Sequence, residues 1–244
     1  GQEFSLMSFC DGDTLKHMPA VQDHKRAYEG DTGPNTGGMG TYSNANHSLP
    51  FLTDEDIDEA HAINMATARA LMDKFGEGYK GVLYGGFMAT ADGVKLIEYN
   101  ARFGDPEALN VLPLLDADFI EICNSIADGT LNSVDVQFQN KATVCKYAVP
   151  EGYPDKPVMG KPIDISNVVN TDDLFYASVD IQNGQLVEAG SRTVAVVGIA
   201  STISEAEKIA ENEISAVEGP LFHRTDIGSM QLINKRVEHM DSLR

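Results

Sequence analysis

The sequence predicts an α+β protein: an antiparallel sheet with helices, followed by a smaller α/β unit. Three observations predict it. Residues 3–10 alternate between two faces, turn at Asp11-Gly12 and return over 14–18, which is hairpin patterning. Residues 81–90 and 94–100 are strand-like runs joined by Ala91-Asp92-Gly93. Between these two pairs, apolar residues recur at steps of three and four from Ile57 to Phe75, the period of a helix.

The bulk numbers bound the rest. A chain of 244 residues holds two modest domains or one large one, and 42% apolar residues can build a proper core. The longest apolar runs fall far short of a bilayer span, so no membrane is expected. A net charge of −19 and a pI near 4.5 argue against nucleic-acid binding, which needs Lys and Arg to neutralise phosphates. Anionic substrates would therefore need locally concentrated cations or a metal. Cys10, Cys123 and Cys145 are far apart and odd in number, which fits a reducing, cytoplasmic setting. Cys123 and Cys145 read as buried small hydrophobes.

The elements follow in order. Thr53 caps the long helix, Asp54, Glu55 and Asp56 fill its positive first turn, and Gly76 ends it. Its expected inward stripe is Ile57, His61, Met65, Ala68, Met72 and Phe75. Gly85-Gly86 suggests a bulge in the outgoing strand of the second hairpin. Asp105 at the cap and Pro106 at the first position open a short helix that Pro113 interrupts. A further helix turns Phe119, Ile122, Cys123 and Ile126 inward and stops at Gly129. Residues 131–139 divide the chain into 1–137 and 138–244. Then come a strand over 141–149, a Pro/Gly-rich connection over 151–162, and strands 174–181 and 185–189 around Asn183-Gly184. Residues 193–200 form an apolar, central strand. Ser204-Glu205-Ala206-Glu207 reads as a capping box, opening a helix with Ala206, Ile209, Ala210, Ile214 and Val217 inward. Gly219-Pro220 stops it, and a short helix closes the chain.

One stretch concentrates chemistry. In an extended run Glu98 and Asn100 point to the same side, and their oxygens suit a hard ion such as Mg2+, which takes few protein ligands. Arg102 follows, with a forked guanidinium that fits phosphate or carboxylate. The alternative is a solvated edge strand before an ordinary capped helix. Upstream, the basic run His24-Lys25-Arg26 flows into residues 29–40 with five glycines, a loop able to aim several N–H groups at one anion. It is neither a Walker A loop nor a dinucleotide fingerprint. Glu3 is either a nucleotide ribose contact or an exposed terminus.

Four motifs together resemble the glycinamide ribonucleotide synthetase (phosphoribosylamine–glycine ligase) family, whose fold is ATP-grasp. They are Gln22-Asp23-His24-Lys25-Arg26, Gly33-Pro34-Asn35-Thr36-Gly37-Gly38-Met39-Gly40, Tyr79-Lys80-Gly81-Val82-Leu83-Tyr84-Gly85-Gly86, and the run from Ile97 to Glu107. Gly190-Ser191-Arg192 and residues 222–228 look like the family's C-terminal domain. The resemblance implies a back portion of an ATP-grasp domain over 1–137 and a C-terminal domain over 138–244, with the front of the enzyme outside this chain. It implies ATP-dependent ligation of glycine to phosphoribosylamine through a glycyl phosphate, in purine biosynthesis. Glu98 and Asn100 would then hold Mg2+ (or Mn2+), Arg102 would steady the transferred phosphoryl or the carboxylate, and Glu3 would accept the ATP ribose hydroxyls. Asp105 would orient Arg102 or the substrate amine, or only cap its helix. Lys25, Arg26, Asn35, Thr36, Gly37 and Gly38 would receive the substrate phosphate and close over the intermediate. The partners implied are small molecules and the missing N-terminal half. Two other readings stay open: another ATP-grasp carboxylate–amine ligase, or a catalytically silent binding fragment.

Overall fold

The computed structural model describes residues 1–244. The first strand, β1 (Gln2–Asp11), is an inner strand of a sheet and is buried on both faces over most of its length. It returns through the Asp11-Gly12 turn into β2 (Leu15–His17). Short strands β3 (Gln22–Asp23), β4 (Arg26–Tyr28), β5 (Thr32–Asn35) and β6 (Gly40–Ser43) follow, so the glycine-rich stretch is a small β4–β5 ribbon feeding a buried strand. After helix α1 (Asp54–Phe75), β7 (Lys80–Thr90) and β8 (Gly93–Asn100) form the second hairpin. The antiparallel order is β2–β1–β7–β8.

Helices cover this sheet on both faces. Ser8 on β1 accepts a hydrogen bond from Asn64 of α1, whereas its neighbour Phe9 meets Phe119 at the start of α3 (Phe119–Asp128) on the other face. Between them lie the short α2 (Glu107–Val111) and a 3-10 turn at Leu112–Leu114, imposed by Pro113.

The second half builds around β9 (Ala142–Pro150), buried throughout. Strands β10 (Leu174–Tyr176), β11 (Val179–Gln182), β12 (Gln185–Glu188) and β13 (Val194–Ala200) follow, then α4 (Ile203–Ile214), β14 (Leu221–Phe222) and α5 (Met230–Leu243). The larger sheet runs β10–β13–β9–β6–β3, with β14 on the end of β9. It draws strands from both sides of residue 137: Gly40 pairs with Lys146 and Ser43 with Thr143. A Cβ at Gly198 would fall 1.9 Å from the Ala206 carbonyl, so glycine lets α4 lie directly on β13.

Several expectations need correction. The capping box of α1 is present, Thr53 and Asp56 exchanging amide hydrogen bonds at 2.8 and 3.3 Å. Its buried face, however, is Asp56, Ala60, Asn64 and Ala68, while Met65 and Phe75 are exposed. Small side chains at four-residue steps let the helix approach the sheet, and the larger apolar stripe lies to the side. Cys123 is exposed on α3, whose buried residues are Ile122 and Ser125. The cap of α4 is Thr202, accepting from the Glu205 amide, and Ile209 is partly exposed. Residues 174–181 are two strands, because β10 pairs with β13 while β11 pairs with β12.

On the α1 face, the His17 and His61 rings stack with centroids 4.0 Å apart. The Ser8 hydroxyl bonds His17 Nδ1 at 2.7 Å, and Asp58 is the carboxylate acting on His61. Burial, and then the neighbouring His61, depress His17 to about 4 from 6.5. A folded-state value below the unfolded one means protons bind preferentially to the unfolded chain. The pair therefore lends stability above pH 6.5 that is lost as pH falls toward 4. His17→Gln should flatten this part of the curve, read as the urea midpoint between pH 7 and 4.

Candidate active site

The β7–β8 hairpin places the key side chains in rows. In an antiparallel ladder, residues directly opposite one another share a face. Ser5, Gly86 and Glu98 form one such row, and Met7, Tyr84 and Asn100 the next. A bulge between Gly86 and Phe87, where Ile97 has no partner, keeps the alternation of Glu98 and Asn100 in step with β7. The two side chains lie together as expected: Asn100 Nδ2 is 3.4 Å from Glu98 Oε1. Arg102 reaches Asn100 Oδ1 at 3.5 Å and the Phe103 carbonyl at 2.8 Å.

Glu98, Asn100, Arg102, Asp105, Lys25, Thr36 and Gly37 all line one cleft of about 180 Å³. A chamber of about 30 Å³ adjoins it and is lined by Glu3. Lys25 Nζ donates to Glu3 Oε2 at 3.3 Å; burial alone would lower the lysine, but the Glu3 charge holds it above its ordinary value. Gly38 lies against Asp23 and Pro106 with φ +108°, and a Cβ there would come within 2.7 Å of Asp23 Oδ1. Arg26 and Asn35 are not brought to the cleft. They face each other across the β4–β5 ribbon, and the Arg26 guanidinium is spent on the Gly33 carbonyl at 2.8 Å.

Asp105 is not a helix cap. Pro106 occupies that position in α2 without a side-chain cap bond. The Asp105 carboxylate instead accepts from Tyr147 at 2.9 Å and from Arg192 at 2.8 Å. Arg192, from the second half of the chain, also donates to the carbonyls of Gly37 at 2.8 Å and Gly38 at 3.3 Å and stacks over the Tyr147 ring. One guanidinium thus ties the glycine loop to the segment bearing Asp105.

Sequence reasoning did not single out Asp23, Tyr84, Glu107 or Arg192 as site residues. Glu107 is 3% exposed and accepts from the Tyr84 hydroxyl at 2.6 Å. Burial, and next the Glu107 charge, push the Asp23 carboxyl well above the usual range. The signal for Glu107 was present: a carboxylate five residues beyond Arg102, in a run that already holds Asp105, does not suit a core helix. The Gly190-Ser191-Arg192 motif marked Arg192 only as part of the C-terminal domain; its role at the cleft comes from packing across 155 residues.

The donor set suits a hard cation. No group of three or more His, Cys, Asp or Glu side chains converges as a metal cluster. Glu98 and Asn100 offer one carboxylate and one amide, the sparse protein set that Mg2+ accepts when phosphate and water complete its shell. Presenting the amide oxygen beside Glu98 requires Asn100 to turn over, an exchange of two ends of nearly equal shape.

Comparisons with known proteins agree with this architecture. Residues 1–108 match the family described as phosphoribosylglycinamide synthetase, ATP-grasp (A) domain, and residues 143–230 match its C domain. The chain is 55% identical to a phosphoribosylamine–glycine ligase of Methanocaldococcus jannaschii, over the whole of this chain and 55% of that protein. It is 53% identical to one from Methanosarcina acetivorans, again over the whole of this chain and 55% of that protein. The chain therefore spans about half the length of the curated relatives it matches. The crystal structure of a phosphoribosylamine–glycine ligase from Thermotoga maritima superposes with a TM-score of 0.81 at 30% identity, covering 93% of this chain and 56% of that one. From its paired domain matches, whole-chain identity and fold, the chain belongs to the phosphoribosylglycinamide synthetase family.

Proposed function

We propose that the full-length protein containing this chain is a phosphoribosylamine–glycine ligase, joining glycine to 5-phosphoribosylamine at the expense of ATP to give glycinamide ribonucleotide. The observation that carries this is the row of Glu98, Asn100 and Arg102 at the mouth of one cleft, with the glycine loop closing its far side. The relatives' names point to the same activity. Ligation through a glycyl phosphate crowds anionic oxygens together, so the protein's task is positioning and charge neutralisation.

The residues divide that task. Glu98 and Asn100 would hold Mg2+ (or Mn2+), which when bound supplies neutralising charge to the phosphate oxygens. Arg102 offers its guanidinium to the transferred phosphoryl or the glycine carboxylate. Glu3 at the chamber edge fits an acceptor for the ATP ribose hydroxyls, and Lys25 balances it. Thr36, Gly37 and Gly38 close the cleft and exclude water from an acyl phosphate that water would hydrolyse. Asp105, bound to Arg192 and Tyr147, acts by holding that loop in register. Arg26 and Asn35 contribute through the ribbon that carries it. No helix is long and apolar enough to cross a membrane, and three free cysteines fit a cytoplasmic setting. The remaining half of the relatives' length supplies the rest of the nucleotide site, with residues 1–137 serving as the ATP-grasp portion and 138–244 as the C-terminal domain.

In the full-length enzyme, Glu98→Gln should lower Mg2+-dependent ADP formation by about 100-fold with the circular dichroism spectrum unchanged. Turnover at the parent rate would overturn the assignment. A panel of amino acids and amines scored by phosphate release should single out glycine with phosphoribosylamine.

A further inference from the structure

We propose that Asp23 and Glu107 form the seat for the ammonium group of the amino-acid substrate. This rests on the ligase reading and assigns two acids that it leaves without a role, the buried Glu107 and the half-buried Asp23. The chamber beside the cleft has a volume of about 30 Å³, room for one or two water-sized groups. Its wall carries four carboxylates, Glu3, Asp23, Glu98 and Glu107, against a single cation, Lys25. Lys25 turns to Glu3, and Glu98 belongs with Asn100. Asp23 and Glu107 remain, and both line the chamber and the cleft alike.

Their hydrogen bonding is half complete. Asp23 Oδ1 accepts from the His24 amide at 2.7 Å, and Glu107 Oε1 accepts from Tyr84 at 2.6 Å. The second oxygen of each carries no side-chain or backbone donor. Two glycines keep the pair uncovered: a Cβ at Gly104 would sit 2.4 Å from Glu107 Oε2, and one at Gly38 would sit 2.7 Å from Asp23 Oδ1. Two carboxylates facing one small chamber repel unless a cation enters. Burial first and the Glu107 charge second raise the Asp23 carboxyl against the opposing pull of Lys25, and a cation held between the two acids would offset that rise. A protonated α-amine has the right charge and size, and donates up to three hydrogen bonds. With the ammonium held here, the carboxylate of glycine extends into the cleft toward Arg102. Keeping that amine protonated also prevents it from attacking a second glycyl phosphate, leaving the acyl group for the amine of phosphoribosylamine.

The test uses the full-length enzyme with Asp23→Asn and, separately, Glu107→Gln, each checked for fold by circular dichroism. Each should raise KM for glycine by about 10- to 100-fold, the loss of one charge-assisted contact, with KM for ATP unchanged within twofold. Glycolate, which replaces the ammonium by a hydroxyl, should gain relative to glycine as a stimulator of ADP formation. An unchanged glycine KM with a raised Mg2+ requirement would overturn the proposal in favour of a metal ligand. An unchanged glycine KM with ADP formed but no amide would overturn it in favour of a proton acceptor for the attacking amine. If Glu107→Gln does not fold, Asp23→Asn, on a partly exposed residue, decides alone. Absence of glycine-dependent ADP formation in the parent enzyme would sink the ligase reading itself, and this seat with it.

Discussion

An Arg224→Met chain is expected to unfold about 10 °C below its parent. Arg224 is 1% exposed, yet every polar edge of its guanidinium is used. Nε and one terminal nitrogen grip Asp226 at 2.8 and 2.7 Å, and the other donates to Asp31 and to the Arg26 carbonyl, both at 3.0 Å. Methionine fills the volume but leaves two partly buried carboxylates and a carbonyl short of donors, at a cost of about 3 kcal/mol. Asp31 keeps Arg236 at 2.8 Å, which limits the loss. At about 2–4 °C per kcal/mol for a chain of this size, calorimetry should read a drop near 10 °C. The pH dependence follows from the carboxylates. Despite burial, Arg236 and Arg224 hold Asp31, and Arg224 holds Asp226, below the ordinary value of 3.8. Depressed carboxylates stabilise the fold above that value and cease to do so as pH falls through their folded values. The gap between parent and variant should therefore narrow below pH 3.8.

Arg192→Ala in the full-length enzyme should cut turnover by roughly 100-fold while shifting the melting temperature by only a few degrees. Arg192 stands outside the reacting region and acts through what it ties: the Gly37 and Gly38 carbonyls on one side, Asp105 on the other. Without it the loop and the Asp105 segment lose their common anchor, and misplacement of about 1 Å at an active site costs this much. Arg192→Lys should recover little, because one ammonium cannot span both partners as the planar fork does. A loss confined to KM for ATP would argue against this positioning role. Steady-state kinetics with each substrate varied in turn reads the difference.

Much of the fold was legible because short-range rules suffice for it. The Asp11-Gly12 and Asp92-Gly93 turns, the Thr53 cap and the Gly76 stop announce themselves within a few residues. So did the shared side of Glu98 and Asn100, since a strand has a period of two. What escaped is of another kind. The inward face of α1 was misread because Asp56 and Asn64 are polar: a capping pair and a bond to Ser8 bury them, and hydropathy does not register that. Asp105 looked like a cap because Asp-Pro commonly is one; Tyr147 and Arg192, distant in sequence, claim it instead. The ammonium seat draws on Asp23 from β3, Tyr84 from β7 and Glu107 from α2, and only the packing of these separate elements makes them neighbours.

The register of β6 on β9 has a bearing on how the polypeptide is made. Gly40 and its neighbours leave the ribosome with their hydrogen-bonding edge bare, and the strand that covers it arrives roughly a hundred residues later. At ~5–20 residues per second that is a wait of about ten seconds. Nascent molecules halted between these points would present sticky, half-built sheets to one another, so chaperone demand and translational pausing should weigh most heavily on this interval.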